Sequence, residues 1–196
     1  MMRQPPPPRP KLVRIETERF LLRTLMPPDA SERWASWLED LEVMAPVNTP
    51  PRRLSRPDLI RYMQRFDNIS RALIGIFDKN ASNLHIGLYQ LDLHPIHKTA
   101  KFNVIVGDKS YWGQKVVLET RAALLDYLFR NGTEKAIGSP LARNFPAVFN
   151  YKAQGWRLEG ILKGQVQHMS SRERLDQYEF GLLKDEWLAI RKGAGK

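Results

Sequence analysis

Residues 101–130 constrain the architecture more than any other part of the chain. They begin with an apolar run rich in β-branched residues, Phe102-Asn103-Val104-Ile105-Val106, which reads as a strand. Gly107, Asp108 and Lys109 break the run. After Ser110-Tyr111-Trp112-Gly113-Gln114-Lys115, apolar residues return with helical spacing at Val117, Leu118, Ala122, Leu124, Leu125 and Leu128. A strand turning directly into a long helix is a βα crossover. The first turn of such a helix carries N–H groups without intrahelical partners and the positive end of the helix dipole, so a phosphate or pyrophosphate fits there.

The rest of the chain supplies a sheet for this unit. Residues 15–23 read as a first strand. Pro27-Pro28-Asp29 starts a helix with Trp34, Trp37 and Leu38 on one face. Ser55-Arg56-Pro57-Asp58 is an N-cap with an acidic third position, opening a helix to about Phe66 along Leu59, Ile60 and Met63. Residues 72–77, 84–93 and 100–106 are strands joined by short polar turns, which argues for an antiparallel meander. Gly132 ends the long helix, and residues 135–139 form a short strand parallel to residues 100–106. Gly155 caps a further short helix, Trp156 starts a strand, and residues 175–183 form the last one. The expected division is a Pro-rich flexible arm at residues 1–13, one domain at 14–187 and a basic flexible tail at 188–196.

Composition excludes several classes of function. At 196 residues the chain is long enough for one domain with a sizeable core. It has no cysteine, hence no disulfide, thiolate nucleophile or Cys-bound zinc. No apolar run is long enough to cross a bilayer, and the start, Met1-Met2-Arg3-Gln4 followed by prolines, lacks the apolar stretch of a secretory signal. A cytoplasmic location without membrane association is the expectation. His85, His94, His97 and His168 show no metal-ligand spacing beyond a loose His94/His97 pair, so no metal is expected. The formal charge of +10 favours polyanions or acidic ligands, including the phosphates of a nucleotide cofactor. No basic-aromatic module of the RNA-binding type accompanies it, so specific nucleic-acid readout is not expected.

Two motifs carry a resemblance. Tyr111-Trp112-Gly113, followed by a helix with Glu119-Thr120, resembles the acetyl-CoA pyrophosphate loop of the GNAT superfamily of N-acyltransferases, most closely the branch with the ribosomal-protein N-terminal acetyltransferases. That loop reads roughly Gln/Arg-x-x-Gly-x-Gly/Ala. The matching positions here are Trp112, Lys115 and Val117, so both small-residue positions hold larger side chains, and Gly113 is not the signature glycine. Residues 144–156 resemble the second GNAT signature, Asn-x-x-Ala/Ser-x-x-x-Tyr-x-Lys-x-Gly-Phe, through Asn144, Ala147, Tyr151, Gly155 and Trp156, with Lys152 one position ahead of the pattern's lysine. Thr17-Glu18-Arg19-Phe20 with Leu22-Arg23 is similar to the branch's opening strand, and the likeness covers roughly residues 15–187.

The resemblance implies an α/β (α+β) GNAT fold: a central mixed, mostly antiparallel sheet of six or seven strands, helices on both faces, and a splay between strands 4 and 5. It implies acetyl-CoA as co-substrate and direct transfer of the acetyl group to a primary amine, a small molecule or a protein N-terminus, by a monomer or homodimer. Pantetheine would lie in the splay, with backbone groups at Val104, Ile105 and Val106 polarising the thioester. Trp112, Gly113, Gln114, Lys115, Val116 and Val117 would hold the pyrophosphate. Asn144 would hydrogen-bond near the pantetheine, or act as a helix N-cap. Tyr151 would protonate the departing sulfur; a phenol titrating near 10 can serve a thiolate. Lys115 reads two ways, as an obstacle to the phosphates or as a cation that pairs with them. Asp92, His94, Glu119, Asp176 and a water chain are all open as general base. The alternative reading is a non-catalytic GNAT-fold binding or scaffold module whose pyrophosphate loop has degenerated.

Overall fold

The computed structural model describes residues 10–193. Most of the Pro-rich arm, residues 1–9, and positions 194–196 of the tail lie outside the described residues. The backbone forms one eight-stranded sheet: β1 (Arg14–Glu16), β2 (Phe20–Thr24), β3 (Arg71–Asp78), β4 (Leu84–His94), β5 (Thr99–Val106), β6 (Lys135–Gly138), β7 (Arg157–Gln167) and β8 (Arg174–Leu183). Their order is β1-β2-β3-β4-β5-β6-β8-β7, and the β5–β6 pair alone is parallel. The count exceeds the expected six or seven because residues 15–23 make two strands. The N–H of Thr17 donates to the Phe20 carbonyl (2.8 Å) and the Thr17 hydroxyl accepts from the Phe20 N–H (2.9 Å). This tight turn folds β1 back onto β2, with Glu16 opposite Leu21.

Alternation along the strands divides the apolar side chains between two layers. Leu21, Leu73, Phe77, Leu88 and Ile105 pack under α1 (Glu32–Glu39), α2 (Leu41–Met44) and α3 (Arg56–Met63). Leu22, Ile74, Ile76, Tyr89 and Phe102 pack under α4 (Val116–Arg130), α5 (Phe145–Ala153) and α6 (Lys184–Gly193). Burying each large apolar side chain stabilises by about 1.5–3 kcal/mol, so these layers set where the helices lie.

Local chemistry sets the helix ends. The residues Pro27-Pro28-Asp29 form a separate 3-10 turn, and Ala30 is extended. The first helix therefore starts later than expected, where the Ser31 hydroxyl accepts from the Trp34 N–H (3.3 Å). The predicted cap at Ser55 is a reciprocal box: Asp58 N–H donates to the Ser55 hydroxyl (3.3 Å) and Ser55 N–H to the Asp58 carboxylate (3.0 Å). In place of the tail expected from residue 188, α6 continues to Gly193. Asp185 and Glu186 lie in its first turn and Arg191 and Lys192 in its last, which suits the helix dipole. Trp187 is buried and donates to Asp126 (2.7 Å). No helix among the described residues is long and apolar enough to cross a membrane.

Candidate active site

The site is a fork in the sheet. β5 and β6 share a register from Thr99 opposite Lys135 to Phe102 opposite Gly138. β6 then ends, while β5 continues to Val106. The Gly107 N–H donates across to Ile86 of β4 (2.9 Å), and the β4–β5 register is regular from Gly87 opposite Val106 to His94 opposite Thr99. Antiparallel backbone groups alternate in direction. The N–H and C=O of Ile105 and Asn103 therefore face β4, and those of Val104 and Val106 face the edge that β6 has left. Val104 and Val106, expected to face the thioester, fall on that open edge. Ile105 does not: its backbone is committed to β4 and its side chain belongs to the α1–α3 layer. The Val106 carbonyl accepts from the indole of the exposed Trp112 (2.8 Å).

Beyond β5 the chain turns into α4. Gly113 (φ 75°) and Lys115 (φ 59°) are both left-handed. Lys115 thus adopts the backbone conformation that glycine adopts freely, at a cost of about 1–2 kcal/mol. It is exposed and gives α4 no side-chain cap. The Gln114 N–H is taken by Tyr111 (3.3 Å), whereas the first-turn N–H groups from Val116 onward have no partner within the helix. Val116 is buried in the core, and Val117 is half-buried. Arg19 holds this turn from outside by donating to the Gln114 carbonyl (2.9 Å), leaving the amides alone. α1 and α2 touch the same turn. A Cβ on Gly107 would fall 2.0 Å from the Trp37 ring, Arg33 donates to Asp108 (2.8 Å), and Lys109 pairs with Asp40 (2.7 Å) and Glu42 (3.0 Å).

The other tine of the fork carries Tyr151. A Cβ on Gly138, the last residue of β6, would lie 2.3 Å from the Tyr151 hydroxyl, so only glycine admits the phenol where the strands part. The ring stacks on Phe180 (5.1 Å between centroids) and meets Trp156 edge-on (4.9 Å). Over its other side lies the guanidinium of Arg121, 4.2 Å from the ring centroid and 1% exposed. Arg121 donates to the Gln154 side chain (2.5 Å) and the Asn150 carbonyl (2.7 Å). Gln154 donates onward to Leu118 (2.7 Å), which binds α5 to α4. Burial pushes the Tyr151 phenol above its ordinary value, and the charge of Arg121 opposes that rise. Below, the Tyr89 hydroxyl, pushed up to about 12 by burial, lies 2.9 Å from the hydroxyl of Thr120, which donates to the Val116 carbonyl (2.7 Å). Asn144 caps α5 by accepting from Ala147 (3.2 Å) and donates to Pro46 (3.1 Å).

A cavity of about 290 Å³ lies on the opposite face, between the α1–α3 layer and β4–β5. Trp34, Leu54, Leu88 and Ile105 are among its apolar walls, and Tyr62, Gln90 and Asn103 are polar. A strap tightens its rim: Asn48, left-handed at φ 51°, donates to Gln167 (2.8 Å) and accepts from Met169 (2.8 Å).

The profile of the acetyltransferase (GNAT) domain matches residues 19–153, more than half of the chain. The chain belongs to the GNAT family. No curated protein matches it significantly. Solved GNAT structures share the fold. A GCN5-related N-acetyltransferase from Brucella melitensis superposes with a TM-score of 0.78 at 18% identity, over 98% of this chain and 88% of that one. Spermidine N-acetyltransferase from Vibrio cholerae, solved with CoA and spermine, gives 0.76 at 22%, over 88% and 99%. Ribosomal-protein-S5-alanine acetyltransferase from Vibrio fischeri gives 0.75 at 17%, over 89% and 98%.

Among the open candidates for general base, the GNAT frame places none at the fork unengaged. Glu119 accepts from the Thr17 hydroxyl (2.6 Å), the Arg19 N–H (3.0 Å) and the Arg19 guanidinium (2.7 Å). Burial would raise its carboxyl, but these bonds outweigh burial and hold it below the usual range. Asp92 pairs with Arg71 (3.3 Å), Asp176 accepts from Gly164 (2.7 Å), and His94 stacks on His97 (4.3 Å). No cluster of three or more metal-ligating side chains occurs among the described residues.

Sequence reasoning missed Arg121, Gln154, Tyr89 and Asn48. Arg121 had a signal: it interrupts the apolar stripe of the long helix, four residues after Val117 and four before Leu125.

Proposed function

We propose that this chain is an acetyl-CoA-dependent N-acetyltransferase acting on a primary amine in a ternary complex. The observation that carries the reading is the position of the Tyr151 hydroxyl against Gly138, at the point where β5 and β6 separate. A thioester in the fork lies between this phenol and the open backbone edge of Val104 and Val106. Those N–H groups polarise the carbonyl. The amine nitrogen forms the new C–N bond, the C–S bond breaks, and the Tyr151 proton passes to the departing sulfur. Arg121, over the Tyr151 ring, favours the phenolate left behind. The amine's own proton leaves through water, since the four carboxylate and imidazole candidates are engaged elsewhere. The diphosphate rests on the first-turn amides of α4, with the exposed Lys115 ammonium beside it.

The test is thiol release from acetyl-CoA with a panel of amines, wild type against Tyr151→Phe. Turnover that the substitution abolishes, with the fold intact, supports the transferase. A second reading, a non-catalytic GNAT-fold binding module, is favoured by the Trp112 indole on the Val106 carbonyl. Neither thiol release nor a thermal shift at saturating acetyl-CoA would leave that reading in place of the first.

A further inference from the structure

The cavity on the α1–α3 face has a charge pattern that selects its occupant. Its floor includes Asn103 and Ile105, the strand residues flanking Val104, so an amine seated there lies one strand's thickness from the open edge. No aspartate or glutamate is among its lining residues within the described part of the chain. The single charged lining residue is Arg52, exposed on the rim. Its backbone is pinned by the Leu38 carbonyl (2.8 Å). The neighbouring Arg53 pairs with Glu39 (3.5 Å), whereas Arg52 has no ion-pair partner among the described residues. Deeper in, Tyr62 donates to the Gln90 carbonyl oxygen (3.1 Å), which leaves the Gln90 amide N–H groups as donors. Burial raises the Tyr62 phenol, and the charges around it are Arg71, Arg65 and Arg52 against Asp92 alone.

Resting on the reading of this site as an amine acetyltransferase, we propose that the acceptor is a monoamine whose apolar body ends in a carboxylate, and that Arg52 reads the carboxylate. The apolar walls take the body. A second ammonium, as in a polyamine, would be desolvated in a cavity without a carboxylate to meet it. A carboxylate would meet a guanidinium that has no competing partner.

Three amines of one body separate these cases: 6-aminohexanoate, hexylamine and 1,6-diaminohexane. The expected order of kcat/KM is carboxylate, then methyl, then ammonium, with steps of about tenfold, the scale of one charge-assisted hydrogen bond. Arg52→Gln brings 6-aminohexanoate down to the level of hexylamine. Turnover of the diamine equal to or above that of 6-aminohexanoate overturns the proposal, as does an advantage for 6-aminohexanoate that survives Arg52→Gln. Absence of thiol release with all three amines sinks the transferase reading instead. Calorimetry with 6-acetamidohexanoate then decides the cavity: binding that Arg52→Gln weakens about tenfold supports the proposal, and no binding or equal binding to both proteins overturns it.

Discussion

The two tines of the fork are built on opposite principles. The β5–α4 tine works through its main chain: the strand edge that β6 has left at Val104 and Val106, two left-handed residues, and a first helical turn that Lys115 leaves uncapped. The β6–α5 tine works through buried side chains, with Tyr151 held between Phe180 and Arg121, and Arg121 fixed in turn by Gln154. A main-chain surface tolerates side-chain replacement, because the amides remain for every residue except proline. A buried network does not, because each member satisfies another.

The sharpest test of this contrast is Tyr151→Phe. It should lower kcat by about 10²–10⁴-fold, the usual worth of a general acid, while the melting temperature moves by only a few degrees. A variant with full turnover would break the contrast at its centre. Arg121→Met should act on stability. It leaves the Gln154 oxygen and the Asn150 carbonyl without their donor, a loss of about 3 kcal/mol, read in a urea titration. An unchanged midpoint would mean that the buried tine is no more rigid than the exposed one.

His85 lies outside both tines and serves as a control. It is enclosed by Phe77, Trp34 and Trp37, and neither ring nitrogen has a hydrogen-bond partner among the described residues. Burial lowers it from 6.5 to about 4. The unfolded chain therefore binds this proton first as the pH falls, and stability is lost between pH 6.5 and about 4, reaching about 2–3 kcal/mol. His85→Phe should flatten that part of the stability profile without altering the pH dependence of turnover. The smallest expected effect belongs to Lys115→Gly. It should relieve about 1 kcal/mol of left-handed strain and weaken acetyl-CoA binding several-fold at low salt, with the loss fading at high salt. Tighter binding by the glycine variant would make Lys115 an obstacle after all.

The same contrast explains what could be read in advance. Tyr151 stood out because it sits in a spaced pattern with Asn144 and Gly155, and the strand–turn–helix unit stood out by its change of period at Gly107. The open edge left no such trace, since backbone donors have no side-chain signature; which of Val104, Ile105 and Val106 faces outward depends on register with β4. Glu119 stayed open as a general base because its partners, Thr17 and Arg19, lie about a hundred residues away in sequence. The Asn48 strap was hidden for the same reason, its partners being Gln167 and Met169. Gly107 read as a mere breaker, whereas its missing side chain makes room for Trp37.

That last contact has a mechanical outcome. Trp37 is wedged against Gly107 while Arg33, Asp40 and Glu42 grip Asp108 and Lys109 from the same helices. A shift of the α1–α2 layer therefore pulls directly on the turn that leads into α4.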